Sequence, residues 1–153
     1  MPQTILVVDD EMSFRFYLKA LFETGGYHVV AARNGSEGLQ MARTHNPDLV
    51  LLDVMMPHQG GLEMYRGLRS DPELRSVPVV MLSAVGAGTF AHGLAMIGLA
   101  QGDLPPPQAY MEKPPCPEEL LSTVRTVLDS QKNDVKRHRE YKESCNAAQD
   151  PDC

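Results

Sequence analysis

Apolar and polar positions follow two kinds of spacing along this chain, one typical of buried strands and one typical of amphipathic helices. Short apolar runs rich in β-branched residues predict five strands. Between them, apolar residues recur every three or four positions, which predicts helices. The predicted strands are Thr4–Val8, Tyr27–Ala32, Asp48–Asp53, Val77–Ala84 and Ala109–Lys113. The first predicted helix carries Phe14 to Phe22 and ends at Gly25. The others are Asn34–His45, Gly60–Ser70 and Pro117–Ser130. A further helix is predicted at about Thr89–Ala100, where two glycines weaken the helical pattern.

The order of these elements predicts the fold class. Strands that alternate with helices indicate a parallel sheet covered on both faces, and right-handed crossovers make it a doubly wound α/β domain. We expect this domain to occupy residues 1–130. From Gln131 the chain is polar and charged. We therefore expect residues 131–153 to be a tail, either a helical extension or disordered, and no output domain to be attached.

Composition and charge exclude several classes of function. The chain has 153 residues and a formal net charge of −6, which disfavours direct nucleic-acid binding. No apolar run is long enough for membrane insertion, and no basic segment precedes the first apolar stretch as in a secretory signal. The three cysteines, Cys116, Cys145 and Cys153, lack metal-ligand spacing and are interpreted as reduced thiols. Together these features predict a cytoplasmic protein.

Polar residues that could take part in binding or catalysis lie at the ends of the predicted strands. Asp9 and Asp10 follow the first strand, Asp53 ends the third, Ser83 lies at the end of the fourth and Lys113 at the end of the fifth. Ligands of doubly wound sheets bind beyond the carboxyl ends of the strands. If these strands are neighbours, all five side chains reach one crevice.

Such a cluster of carboxylates indicates a bound metal ion and suggests the type of reaction at the site. Three carboxylates repel one another and are stable together mainly with a metal ion. Oxygen ligands without imidazole or thiolate indicate Mg²⁺. With a hydroxyl and a lysine nearby, this set suits phosphoryl transfer, in which Asp53 accepts the phosphoryl group as an acyl phosphate.

Four motifs in chain order carry a family resemblance: VVDDE, LLDVMMP followed by GG, MLSA and MEKP. Each is short, but the ordered set at predicted strand ends is specific. Over roughly Thr4–Ser130 the sequence resembles the receiver domains of two-component response regulators. The resemblance implies a flavodoxin-like, five-stranded parallel sheet of strand order 2-1-3-4-5.

The resemblance also implies roles for single residues of the metal site. Asp53 would be the phosphoacceptor. Asp10 would bind Mg²⁺ directly and Asp9 mostly through water. The backbone carbonyl of Met55 would complete the protein ligands.

Further roles implied by the resemblance concern the response to phosphorylation. Ser83 would bond the phosphoryl group and Lys113 would pair with it. Tyr110 would be the switch aromatic that turns inward when Ser83 moves, although a tyrosine that stays half-buried without switching is an equally good interpretation. The family pattern also predicts a cis bond between Lys113 and Pro114.

Three features depart from the family pattern. The spacing between Ser83 and Lys113 is longer than usual, and the surplus lies in Gly86–Gln108. Gln108 stands where an acidic residue is common, and Pro115 where an apolar or aromatic residue commonly follows Lys-Pro. We therefore do not expect the dimer that many transcription-factor receivers form through this face.

The leading functional prediction is a signalling receiver rather than an enzyme. It would take a phosphoryl group from the phosphohistidine of a histidine kinase or phosphotransfer protein and switch the binding of an unidentified downstream protein. It would assist its own phosphorylation and dephosphorylation. Two alternatives stay open: a degenerate receiver that only binds a partner, and an aspartate-nucleophile phosphatase. Such phosphatases typically place a second aspartate two residues after the nucleophile, and that position here is Met55.

Overall fold

The computed structural model describes residues 2–54, 60–84 and 105–148 of the chain. Within these residues it contains every strand and helix predicted there. The strands are β1 (Thr4–Val8), β2 (His28–Ala32), β3 (Leu49–Asp53), β4 (Val79–Ser83) and β5 (Ala109–Glu112). The helices are α1 (Met12–Thr24), α2 (Gly35–His45), α3 (Gly61–Ser70) and α4 (Pro117–Ala148). Met55, the predicted helix at Thr89–Ala100 and most of Gly86–Gln108 lie outside the described residues.

The five strands form one parallel sheet in the order β2-β1-β3-β4-β5. This confirms the predicted doubly wound fold and its strand order. Successive side chains of a strand point to opposite faces of the sheet. In β1, Ile5 packs with α1 and α4 on one face, whereas Leu6 packs with α2 and α3 on the other. Because both faces are covered, the central strands are apolar throughout.

Parallel strands place their carboxyl ends at one edge of the sheet. In the β3–β4 pair, Asp53 stands opposite Leu82, and in the β4–β5 pair, Ser83 stands opposite Glu112. The amide of Lys113 then donates a 2.7 Å hydrogen bond to the carbonyl of Ser83. The Lys113–Pro114 bond is cis, which confirms that prediction.

A buried arginine of α3 holds the start of β5. Arg69 is 7% exposed and donates from Nη1 to the carbonyls of Arg75 (2.9 Å) and Val77 (2.7 Å). Its Nη2 donates to Oε1 of Gln108 at 3.0 Å, and the same oxygen accepts from the amide of Val79 at 2.7 Å. Gln108, where the family commonly has an acidic residue, is therefore committed to bonds within the chain.

The last helix continues well beyond the sheet. Leu120, Val124 and Leu128 of α4 are buried in the core, but the helix runs on past Ser130 to Ala148. In this extension Val135 is 61% exposed. The sequence left a helix and a disordered tail as alternatives for residues 131–153, and residues 131–148 are helical. A domain boundary at residue 130 stays a prediction. None of the helices in the described ranges combines the length and the apolar character needed to cross a bilayer.

Candidate functional site

Three carboxylates meet at the carboxyl edge of the sheet. Oxygens of Asp9, Asp10 and Asp53 all lie within 4.8 Å of one another. They come together because β1 and β3 are adjacent strands that end at the same level. Asp9 and Asp53 are buried, at 1% and 4% exposure, while Asp10 faces solvent. The structure thus brings together three side chains that the sequence predicted to converge.

Lys113 reaches this cluster from the end of β5. Its Nζ donates to Oδ2 of Asp9 at 2.5 Å and lies 3.3 Å from Oδ2 of Asp53. Burial by itself lowers the pKa of Lys113. The hydrogen bond to Asp9 and the charges of Asp53 and Asp9 outweigh burial and raise that pKa above its ordinary value. The lysine is therefore a fixed positive charge within the cluster.

Asp9 has both of its side-chain oxygens engaged. Oδ1 accepts from the amide of Glu11 at 2.9 Å, and Oδ2 accepts from Lys113. Burial raises the pKa of Asp9 and the charge of Asp53 adds to this, although the bonds from Lys113 and Glu11 oppose it. The guanidinium of Arg15 donates to the Asp9 carbonyl at 2.8 Å, which fixes the backbone at this turn.

The donor set fits a divalent cation that prefers oxygen ligands. Asp9, Asp10, Asp53 and Lys113 together carry a formal charge of −2. Lys113 offsets only one of the three negative charges, two of which are buried, and Mg²⁺ prefers carboxylate and carbonyl oxygens. Asp10, exposed and at the mouth of the cluster, is accessible to such an ion. The predicted Met55 carbonyl lies outside the described residues.

Ser83 and Tyr110 contact each other beside the cluster. Ser83 is fully buried at the end of β4, and its hydroxyl shares a hydrogen bond with the phenol of Tyr110. Burial raises the pKa of Tyr110, the bond with Ser83 opposes this, and the charge of Glu112 adds to it. The Tyr110 ring is half-buried against the core on the α2 and α3 face. The proposed hydroxyl and switch residues are thus physically connected.

The role of Gly61 was not predicted from the sequence. It is the first residue of α3, and a Cβ there would lie 2.2 Å from the carbonyl oxygen of Asp53 and 2.8 Å from Cα of Val54. Only glycine lets α3 begin so close to the end of β3. The signal was present in the Gly-Gly pair that follows LLDVMMP.

Phe14 is the second missed residue. The Lys113 Nζ lies 4.4 Å from the centroid of its ring. In the sequence, Phe14 is one member of an apolar helical pattern, and nothing distinguishes it from Leu18 or Phe22. Its position over the lysine depends on how α1 is rotated against the sheet.

The fold and the site together define a class of phosphoacceptor signalling domain. Residues 5–125 match the response regulator receiver domain family, and the chain belongs to that family. It is a receiver of two-component signal transduction, a signalling module rather than a classical enzyme.

Individual relatives agree with this assignment. The polar-differentiation response regulator DivK of Brucella anthropi is 34% identical over 129 residues, covering 84% of this chain and 98% of that protein. DivK of Brucella ovis is 33% identical with the same coverage. Among solved structures, the chemotaxis protein CheY4 of Vibrio cholerae aligns with a TM-score of 0.71 at 28% identity, covering 83% of this chain and 99% of that one. A CheY-like receiver domain of Methanospirillum hungatei aligns with a TM-score of 0.75 at 25% identity, covering 88% and 99%.

Proposed function

We propose that Asp53 accepts a phosphoryl group from the phosphohistidine of a histidine kinase or phosphotransfer protein, and that its phosphorylation changes the binding of a downstream protein. The observation that carries this proposal is the contact of Lys113 with both buried carboxylates, Asp9 and Asp53, at the carboxyl edge of the sheet. A buried carboxylate beside a fixed cation is suited to act as a nucleophile towards phosphorus.

In the reaction, a carboxylate oxygen of Asp53 attacks the phosphorus of the donor. The oxygen–phosphorus bond forms, the bond from phosphorus to the histidine nitrogen breaks, and the imidazole leaves with the electron pair. Lys113 neutralises charge on the transferred oxygens, and the hydroxyl of Ser83 bonds one of them. The same groups assist hydrolysis of the acyl phosphate, so the domain promotes its own phosphorylation and dephosphorylation.

Mg²⁺ is the cofactor that we propose for this site. Asp10 and Asp53 would bind it directly, with the Met55 backbone carbonyl, and the ion would supply further positive charge to the transferred phosphoryl oxygens. Asp9 would act through water, because its two oxygens already accept from Glu11 and Lys113.

The hydrogen bond between Ser83 and Tyr110 supports a route from phosphorylation to partner binding. When the Ser83 hydroxyl turns to the phosphoryl group, its bond with Tyr110 is exchanged for the new one. The half-buried ring of Tyr110 would then change position, and with it the surface offered to the downstream protein.

The two alternatives receive less support. A phosphatase of the aspartate-nucleophile type would need an acidic residue two positions after Asp53, where this chain has Met55. A receiver that only binds a partner would not need Lys113 held between two buried carboxylates.

A single experiment tests the proposal against both alternatives. The protein is incubated with Mg²⁺ and a small acyl-phosphate donor, and the phosphorylated residue is identified by mass spectrometry. We expect phosphate on Asp53 in the wild type and in Asp129→Asn, a control at an exposed position of α4, and none in Asp53→Asn. When a phosphomonoester is supplied in place of the acyl phosphate, its repeated turnover would support the phosphatase. A wild type that accepts no phosphate would support the binding-only receiver.

A further inference from the structure

The ring of Phe14 lies against the ammonium of Lys113 on the side of α1. The distance of 4.4 Å from Nζ to the ring centroid is well within the range of about 6 Å over which a cation is attracted to an aromatic face. The same Nζ contacts Asp9 at 2.5 Å and Asp53 at 3.3 Å. Lys113 is therefore held by two carboxylates and one aromatic ring.

These three contacts differ in what they offer the lysine. An ammonium group has three N–H donors, and two of its neighbours here are carboxylate acceptors. The face of Phe14 attracts the positive charge but provides no oxygen to compete for a donor. It also occupies space that water would otherwise take, and a charge acts more strongly where water is excluded.

The Phe14 ring has further contacts within the fold. It stacks on Tyr17 with centroids 5.9 Å apart and an interplanar angle of 28°. It also packs partly buried against the core on the α1 and α4 face. A ring fixed in this way can hold the lysine in one position, whereas a flexible aliphatic side chain cannot.

We propose that Phe14 is a positioning residue for phosphoryl transfer, because its ring keeps the ammonium of Lys113 directed between Asp9 and Asp53. This inference rests on the proposed function of Asp53. The bonds made and broken are the same as before. Phe14 changes only how precisely Lys113 meets the transferred phosphoryl oxygens, so its loss lowers the rate of transfer and leaves metal binding intact.

The test compares Phe14→Leu with Phe14→Tyr and with a matched control, Phe16→Leu. Phe16 is 65% exposed on the same helix, and the same chemical change there leaves Lys113 untouched. For each protein we measure the maximal phosphorylation rate with a small acyl-phosphate donor, the half-saturating donor concentration and the Mg²⁺ dissociation constant. We expect Phe14→Leu to lower the maximal rate about fivefold with Mg²⁺ affinity unchanged. Phe14→Tyr, which keeps the aromatic face, and Phe16→Leu should match the wild type.

Two further measurements separate positioning from a general structural role. Phenylalanines with one, two and three ring fluorines at position 14 keep the shape of the ring and progressively weaken its negative face, so the rate should fall with each fluorine even if Phe14→Leu does not fold. In metal-free protein, the Lys113 ε-methylene NMR signal should be shifted upfield by the ring in the wild type and in Phe16→Leu, and not in Phe14→Leu.

The experiment distinguishes a failure of the Phe14 role from a failure of the proposed role of Asp53. A wild type that accepts no phosphate overturns the role of Asp53. A wild type that accepts phosphate, with equal rates in Phe14→Leu and throughout the fluorinated series, overturns only the role of Phe14. A parallel loss of Mg²⁺ affinity in Phe14→Leu also overturns it, because the ring would then be supporting the whole site.

Discussion

The ammonium of Lys113 lies 2.5 Å from Oδ2 of Asp9, closer than the 3.3 Å that separates it from Oδ2 of Asp53. The lysine is thus the counter-ion of a proposed metal-site residue as well as of the proposed phosphoacceptor. Either Lys113 or a bound metal ion can therefore offset the electrostatic repulsion between the two buried carboxylates. The free energy of unfolding should therefore change when a charge is added to or removed from this site.

Replacing Lys113 with methionine should destabilise the metal-free protein and increase its response to Mg²⁺. The change leaves Asp9 and Asp53 buried without the lysine, which we expect to lower the free energy of unfolding by about 3 kcal/mol. Mg²⁺ then becomes the main counter-charge, so its stabilising effect should exceed that in the wild type. Denaturant unfolding with and without Mg²⁺ measures both effects, with Lys132→Met at an exposed position of α4 as the control. A smaller Mg²⁺ effect in Lys113→Met than in the wild type would contradict this account.

Asp10→Ala should remove most of the stabilisation by Mg²⁺ and leave the metal-free protein at least as stable as the wild type. Asp10 is the exposed carboxylate of the cluster, and its removal relieves repulsion without opening the core. In the wild type, Mg²⁺ at about a hundred times its dissociation constant should add about 2.7 kcal/mol. Thermal melts across a Mg²⁺ titration measure the loss, and Asp134→Ala, exposed on α4, should respond like the wild type. If Asp10→Ala keeps the full Mg²⁺ response, Asp10 is not a ligand.

The sequence was sufficient to predict where Asp9, Asp53 and Lys113 meet, because each directly ends or follows a strand. In a parallel sheet, the ends of neighbouring strands share an edge, so the local pattern determines the position. Contacts made by helix side chains could not be predicted in this way. Phe14 over Lys113 depends on the rotation of α1, and the bond from Arg69 to Gln108 joins residues 39 positions apart.

The end of α4 shows a different limit of sequence reasoning. Residues beyond Ser130 are polar on nearly all sides, and an isolated helix of this kind is marginal in water. Apolar periodicity therefore could not decide between a helix and a disordered tail. The helix continues because it is already nucleated by the buried turns around Val124 and Leu128, and extending a helix is easier than starting one.

Gly61→Ala should lower the stability of the fold and distort the backbone at Asp53. The added Cβ would meet the Asp53 carbonyl oxygen at 2.2 Å, and backbone atoms cannot move aside cheaply, so we expect a loss of about 3 kcal/mol. Gly67→Ala is the matched control in the same helix, since its Cβ would meet only the movable end of Leu39, at 2.9 Å, and alanine favours the helix. Denaturant unfolding of both variants checks the difference. Equal stabilities would show that α3 can shift away from β3 without cost.

Gln108→Glu should stabilise the protein at neutral pH and make its stability depend on pH in the acid range. The new carboxylate would face the buried guanidinium of Arg69 and still accept from the amide of Val79, so we expect a gain of about 1 kcal/mol. The guanidinium would hold the pKa of the glutamate in the folded protein below its unfolded value of about 4.3. The gain is therefore fully present above pH of about 4.3 and disappears as pH falls through the lower, folded-state value. Unfolding curves measured across this range for the variant, the wild type and Gln40→Glu, an exposed control on α2, test this expectation. A Gln108→Glu protein that matches the wild type at every pH would mean that Arg69 gains nothing from a carboxylate at this position, and that its carbonyl acceptors already satisfy the buried charge.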